Sequence, residues 1–278
     1  LPGFQEYLKK ISMTVDTDAV AAIIRDVSAT EILPRYKTLE AHEVRTKSHP
    51  GDLVTAADEA AEAALSARLR SLLPGSVVVG EEGTAANPAL LDLLSGDAPV
   101  WVLDPVDGTR NFAHGVPRFA VMVALVTAGE TLGGWIYDPI ADVLYSAKKG
   151  AGSWRDGHKI HVGDAPRLDA MVGATGYRHA KLFKPLGIRT RQSGSAAHDY
   201  MQASDGRIDF ALFRRCLNPW DHAAGALIHQ EAGGFGRTVD GKVYRPGDRT
   251  GDHLILAPDQ ATWALVRDIV LPHVRGEV

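Results

Sequence analysis

Apolar residues recur at helical spacing from Asp16 onward, with Val20, Ile23, Ile24 and Val27 on one face and Asp16 or Thr17 placed to cap the start. The spacing predicts a first amphipathic helix, carried on past Pro34 toward Val44. Pro-Gly punctuation in "KSHPGDLV" (47–54) predicts a loop or short hairpin. Thr55 then precedes an alanine-rich run with Asp58 three positions on, the signature of a capping box, and the second helix is expected to run to about Leu73. Pro74-Gly75 breaks it. "SVVVG" (76–80) reads as a short β-branched strand followed by Glu81-Glu82-Gly83, and "PVWVL" as a second strand ending at Asp104.

From Phe119 to Ile160 apolar runs alternate with the turn signals Ala-Gly-Glu, Asp-Pro and Asp-Gly, which predicts an antiparallel meander. Beyond residue 160 the texture changes to shorter strand-then-helix units. "MVGATG", "GIRTRQ", "RIDFALF" and "HLILAPD" read as strands, while a helix beginning at Ser195, "DHAAGALIHQEAGG" and "ATWALVRDIV" read as helices. No fixed-period repeat and no low-complexity linker separates the two textures. The expected organisation is an N-terminal α+β part over 16–160 and a C-terminal α/β part over 161–278, in layers. Residues 1–15, which precede the first pattern, read as an expression remnant or a flexible N-terminus.

Composition narrows the class. The chain has 278 residues, 45% apolar and 23% charged, which fits a globular protein rather than a disordered or fibrous one. A net charge of -4 with scattered Lys and Arg gives no footprint for nucleic acid. The longest apolar runs, such as "FAVMVALV" (119–126), fall far short of the roughly 20 residues of a membrane-spanning helix. Cys216 is the only cysteine, so no internal disulfide forms, and a cytoplasmic location is expected.

The candidate chemistry sits where strands end in charge. In "WVLDPVDGTRNF" (101–112), Asp104 and Asp107 emerge from an apolar strand, and Glu81-Glu82 hold the same place after its neighbour. Taken alone, Asp-Pro and Asp-Gly are ordinary turn dipeptides whose carboxylates bond their own backbone. Four carboxylates at neighbouring strand ends are different, because uncompensated charges there are penalised by several kcal/mol, on the order of an unpaired buried ion. A divalent cation is the natural compensation. All-oxygen donors suit Mg²⁺, Mn²⁺ or Ca²⁺ rather than zinc, and the alternation of a helix-loop-helix calcium loop is missing. Gly108 permits close backbone approach and Thr109 can open a helix whose N–H groups receive an anion; each alone also reads as a plain turn and a plain N-cap. Asp221, ahead of the small residues Ala223, Ala224 and Gly225, is either a helix cap or a remote third aspartate for the same cation, and Trp220 beside it reads as core.

"GEEG" (80–83), "WVLDPVDGTRNF" (101–112) and "PWDHAAG" (219–225), in that order, resemble the inositol monophosphatase family of Mg²⁺-dependent, lithium-sensitive phosphatases, and "KSHPGDLVTAAD" (47–58) matches that family's N-terminal segment. The resemblance spans nearly the whole chain from about residue 16. It implies a layered αβαβα sandwich of the sugar-phosphatase type, a homodimer, and two or three Mg²⁺ ions per site with Mn²⁺ as a substitute. By similarity, Glu81, Asp104 and the Val106 carbonyl hold a first metal, Asp104 bridges to a second held also by Asp107 and Asp221, and Glu81 helps with a third, loosely held ion. Asp58 and Thr109 match the pair that orients and deprotonates the attacking water. The amides of Gly108 and Thr109 match the phosphate cradle, and Glu82 matches a carboxylate just behind the metals. Ser195, in "GSAAHD" (194–199), matches a stretch that lines the substrate pocket, while His198 reads as structural or exposed. Lys47 and Asp52 fall in the mobile loop over the site in relatives.

One departure bears on specificity. Where myo-inositol-selective members carry a glutamate that bonds sugar hydroxyls, "LFRRCLNPWD" carries Arg214. A guanidinium only donates hydrogen bonds and favours anions, so it would admit a second phosphate or a carboxylate; an ion pair at the surface or an interface is the plainer alternative. The expected function is hydrolysis of a small phosphorylated metabolite, inositol monophosphate or a related sugar phosphate. The alternatives are a sugar bisphosphate or a 3',5'-bisphosphate nucleotide as substrate, or a relative that acts mainly by binding a regulatory partner.

Overall fold

The computed structural model of the chain describes residues 15–38, 44–46, 53–165, 167–214, 217–248 and 252–276. The N-terminal 1–14, and with it most of the segment set aside above, lies outside the described residues, as do Lys47, Asp52 and Cys216.

The first helix, α1 (Thr17–Val27), is capped by the Asp16 carboxylate and buries Val20, Ala21, Ile24 and Val27 along the expected stripe. It does not run on toward Val44. The chain widens into one turn of π-helix (Ser28–Ile32), tightens into a 3-10 turn (Leu33–Arg35) and stops, because Pro34 cannot supply a helical N–H; Val44 instead lies in a strand. That strand, β1 (Val44–Thr46), pairs antiparallel with β2 (Leu53–Thr55) on either side of the Pro-Gly segment. Helix α2 (Ala56–Leu72) follows directly, with the capping box made by Thr55 and Asp58.

Seven strands form the first sheet in sequence order: β3 (Val77–Gly80), β4 (Val100–Asp107), β5 (Ala120–Thr127), β6 (Glu130–Asp138), β7 (Val143–Lys148), β8 (Gly152–Arg155) and β9 (His158–Ile160). β3 and β4 are parallel and the rest form the antiparallel meander. Every residue of β4 and β5 is buried, because helices cover both faces of the sheet; this is why those strands read as unbroken apolar runs and not as alternation. The second sheet has five strands in the order β11-β10-β12-β14-β13, namely β10 (Val172–Thr175), β11 (Arg189–Arg191), β12 (Phe210–Phe213), β13 (Phe235–Thr238) and β14 (Leu254–Ala257). Its β11-β10-β12 half is parallel.

Three apolar clusters separate the layers. α1 and α2 pack on one face of the large sheet around Ile24, Leu65 and Trp101. Between the sheets lie α6 (Ala196–Ser204) and α7 (Pro219–Glu231), with Tyr200 and Ile228 buried against Val102 and Leu256. α5 (Tyr177–Phe183) and α8 (Gln260–Arg275) cover the outer face of the small sheet around Phe183, Ile255 and Val266. The result is the layered αβαβα sandwich. No helix among the described residues is long and apolar enough to cross a membrane.

The seam between the large sheet and α7 is tight enough to require glycine. A Cβ on Gly134 of β6 would meet the Ala224 carbonyl oxygen at 2.8 Å and its Cα at 3.0 Å, both backbone atoms that can give way only if the whole helix shifts. Gly134→Ala is therefore expected to lower stability by about 1–3 kcal/mol, read as a lower urea midpoint at unchanged slope. An unchanged midpoint would show that α7 has room to move.

Candidate active site

The carboxylates converge where β3 and β4 end. Asp104 and Asp107 are three residues apart, and in a regular strand such residues point to opposite faces. The pairing of β4 with β5 resolves this: Asp104 faces Met122 and Asp107 faces Ala120, so β4 carries one extra residue across that step. The bulge lets both side chains turn to the same pocket, and β4 ends at Asp107 rather than at Asp104. Gly108 then takes a left-handed conformation (φ 89°) and starts the short helix α4 (Thr109–Ala113). A Cβ there would meet the Arg118 carbonyl at 2.8 Å, so only glycine fits.

Asp221 arrives from the other layer. It lies in the first turn of α7, with Asn218 rather than Asp221 at the cap position, and its Oδ2 accepts from Asn218 Nδ2 at 3.1 Å. One carboxylate oxygen from each of Asp104, Asp107 and Asp221 lies within 4.8 Å of the others. This is a donor set that could hold a hard divalent cation.

Electrostatics supports that fit. Burial, then Glu81, Asp107, Asp221 and Asp58, push the Asp104 carboxyl well above its ordinary range. Burial, then Glu81 and Asp107, push Asp221 up to about 8. Burial also raises Asp107, against hydrogen bonds from Ser195, Ala197 and Ala196 and the nearby His198. Carboxylates this close cannot all be ionised without a positive charge among them, and the causes that act most strongly on Asp104 and Asp221 are burial and other carboxylates.

Beside the aspartates stands the second pair expected from the sequence. The Thr109 hydroxyl lies 3.2 Å from Asp58 Oδ1 and 3.0 Å from the Val106 carbonyl, to either of which it can donate. Asp58 is fully buried, and its other oxygen accepts from the Thr55 N–H at 2.9 Å and the Thr55 hydroxyl at 2.5 Å. The capping box of α2 thus aims Oδ1 at Thr109. The Val106 N–H in turn donates to Asp104 Oδ1 at 3.1 Å, which brings Val106 into the same cluster.

The "GEEG" turn is organised by a residue the sequence reading missed. Glu62, one helical turn beyond Asp58 on α2, accepts from the Glu82 N–H at 2.8 Å and the Gly83 N–H at 2.7 Å, closing the first turn of α3 (Glu81–Ala86). A Cβ on Gly80 would fall 2.3 Å from the Glu62 carboxyl carbon, so glycine there makes way for the carboxylate. The spacing Asp58 to Glu62 is the i,i+4 step of one helix face, a signal that was available in the sequence.

Ser195 caps α6, and its hydroxyl contacts Asp107 Oδ2 and lies 2.9 Å from His198 Nδ1. The Ala196 and Ala197 N–H groups donate to Asp107 at 3.0 and 2.9 Å. The structure therefore commits the Ser195 hydroxyl to holding Asp107 across the layer boundary. His198, buried to 9% exposure, completes a chain from Ser195 to Asp138 Oδ2 at 3.2 Å. Asn111, also missed, joins the two halves by donating to the Arg118, Ser193 and Gly194 carbonyls. Glu81 acts on Asp104 and Asp221 through its charge, and Glu82 lies in the first turn of α3. Arg214 is exposed and lies outside this cluster, lining a separate cavity.

The model of the inositol monophosphatase family matches residues 6–270. The inositol-1-monophosphatase SuhB of Mycobacterium tuberculosis is 38% identical over 205 residues, covering 68% of this chain and 70% of that protein. The Nus factor SuhB of Escherichia coli is 35% identical over 216 residues, covering 73% and 78%. Among solved structures, the Thermotoga maritima IMPase superposes with a TM-score of 0.77 at 28% identity, covering 90% of this chain and 96% of that one.

Proposed function

The chain belongs to the inositol monophosphatase family, and from that premise we propose that it is a Mg²⁺-dependent phosphomonoesterase acting on inositol monophosphate or a related small sugar phosphate. The observation that carries this reading is the convergent trio of buried Asp104 and Asp107 with half-buried Asp221, and the Thr109–Asp58 pair beside it. Divalent cations bound there would supply Lewis acidity, neutralising charge on the phosphoryl oxygens and making water more acidic near neutral pH.

The chain's own groups do the rest. Water donates one hydrogen bond to Thr109 Oγ1 while the Thr109 hydroxyl donates to Asp58 Oδ1, so a proton leaves the attacking water through Thr109 to Asp58. The water oxygen forms the new P–O bond, the ester P–O bond breaks, and the alcohol departs with a proton from solvent. Thr55, through its two bonds to Asp58, keeps the accepting oxygen aimed at Thr109. The N–H groups of Gly108 and Thr109 would receive the phosphate, and Glu81 would add to the donor set of a bound cation. Homodimerisation, expected from the family, belongs to the same reading.

The regulatory reading draws on the E. coli relative's name, but a protein acting only through a partner would not need a water-activating pair. A phosphate-release screen over inositol monophosphate, sugar phosphates and nucleotides in Mg²⁺, run beside Thr109→Ala, tests the choice. Turnover that falls about 10²–10⁴-fold in the variant is expected; equal background rates for both proteins on every substrate would defeat the enzyme reading. Repeating the screen with Arg214→Glu tests the specificity argument, and an unchanged order of preference would remove Arg214 from it.

Glu62 supplies a subtler test. Glu62→Gln keeps one acceptor oxygen but turns an NH₂ toward the α3 turn, loosening the backbone that carries Glu81. The Mg²⁺ concentration for half-maximal activity is expected to rise about 10- to 100-fold. A variant with the wild-type Mg²⁺ dependence would show that Glu62 does not position Glu81.

A further inference from the structure

Next to the carboxylate site lies a second concavity of opposite sign. A cavity of about 460 Å³ is lined by Arg178, His179, Arg214, His253 and His273 with two aliphatic side chains, and among the described residues no carboxylate lines it. In a chain of net charge -4 this is a local concentration of cations. Neither Arg178 nor Arg214 has a hydrogen-bond acceptor or a carboxylate partner among the described residues. The Nδ1 of His179 is buried without a hydrogen-bond partner, and its ring stands edge-on to His253 with centroids 5.0 Å apart. Burial, then Arg214, His273 and Arg178, hold His179 below its ordinary pKa.

The topology places this cavity beside the carboxylates. β10, β11 and β12 run parallel, so their C-terminal ends share one edge of the small sheet, and antiparallel β14 begins there, with Leu254 opposite Phe213. Arg178 follows β10, Arg214 follows β12 and His253 precedes β14, with the Arg214 side chain 3.9 Å from where a Cβ on Gly176 would stand. The same edge carries Ser195 and Ala196 after β11, which grip Asp107, and the segment after Arg214 leads into Asp221. Ligands of α/β sheets bind at this end of parallel strands.

We propose that this cavity is an anion-binding subsite, and that it takes the second acidic group, a phosphate or a carboxylate, of a substrate whose scissile phosphate lies at the aspartate cluster. The substrate role rests on the phosphomonoesterase reading; the anion site itself does not. Two guanidiniums with no carboxylate partner among the described residues match either oxyanion through paired N–H donors, and a bound anion relieves the repulsion between them. A volume in the ~300–1,000 Å³ range of small-molecule sites leaves room for the group and the carbon frame that carries it. Arg214 is thereby assigned a companion set that the linear sequence scatters over 178–273.

Two measurements test it. In EDTA, titration of inorganic phosphate into the protein should show saturable one-to-one binding that weakens at least about tenfold in Arg178→Gln and in Arg214→Gln and persists in Asp104→Asn. Absence of binding, or binding indifferent to Arg178, overturns the subsite. In Mg²⁺, kcat/KM should favour fructose 1,6-bisphosphate over fructose 1-phosphate, or 2-phosphoglycerate over glycerol 2-phosphate, by about tenfold or more. The preference should lie mainly in KM and should collapse in Arg178→Gln; which pair shows it distinguishes phosphate from carboxylate. Equal kcat/KM within both pairs overturns the substrate role. Should no substrate be turned over above the Asp104→Asn background while phosphate binding still depends on Arg178, the hydrolase reading fails and the anion site stands.

Discussion

Asp104→Asn is expected to lower Mg²⁺-dependent phosphate release by about three orders of magnitude, equivalent to ~4 kcal/mol of transition-state stabilisation. The side chain is 1% exposed at the centre of the cluster, and Glu81, Asp107, Asp221 and Asp58 all act on it. An amide of the same shape keeps the packing and its oxygen can still accept from the Val106 N–H, but it removes the charge that a cation would meet. The same change should leave the metal-free protein at least as stable as wild type. Burial and four neighbouring carboxylates disfavour an ionised Asp104, and the neutral side chain escapes both effects. Lost activity with an unchanged or raised melting temperature in EDTA is thus the expected pair of results. Lost activity together with a collapsed melting temperature would mean that Asp104 serves the fold, and unchanged activity would remove it from the chemistry.

Mg²⁺ itself should stabilise the chain strongly. A ligand that binds only the folded state at a hundred times its Kd contributes about 2.7 kcal/mol. For a chain of this size that corresponds to a rise of roughly 5–10 °C in melting temperature, since ~1 kcal/mol moves it by about 2–4 °C. The effect is large because the folded protein holds Asp104, Asp107 and Asp221 together and the unfolded chain does not. Thermal melts over a Mg²⁺ series in wild type, Glu62→Gln and Asp104→Asn separate the contributions. The rise should appear at low Mg²⁺ in wild type, at higher Mg²⁺ in Glu62→Gln, and be lost in Asp104→Asn. A rise of equal size in all three would place the stabilising ion elsewhere.

Much of this was legible in the sequence, and what was not has identifiable causes. The meander from Phe119 to Ile160 and most of the strand-then-helix units after it are readable because turn residues and apolar runs punctuate them, although β13 is not. The sequence predicts too long a first helix because apolar residues continue at helical spacing beyond Val27, where the chain changes to π and 3-10 turns. The strand carrying Asp104 was ended three residues early. A bulge is set by the register of β4 against β5, and no local signal in "LDPVDG" reveals it. Yet that bulge is what turns both aspartates to one side.

At the site, residues with distinctive local motifs were readable, and residues that act by reaching across layers were not. Glu62 stands in a plain alanine-rich helix, and its partners, the N–H groups of Glu82 and Gly83, leave no trace in composition. Ser195 reads as a substrate contact from its motif and is seen to brace Asp107, because the layer packing brings β4 against the start of α6. His198 acquires Asp138 as a partner only through the fold. Arg214 could be singled out, but its companions Arg178, His253 and His273 could not.

Whether the aspartate cluster works through a bound divalent cation is tested most directly by phosphate release from inositol monophosphate with EDTA-stripped protein. The expected result is no release above background in EDTA, restored by added Mg²⁺ in wild type and not in Asp104→Asn. Release that proceeds undiminished in EDTA, or that Mg²⁺ restores equally in both proteins, would contradict it.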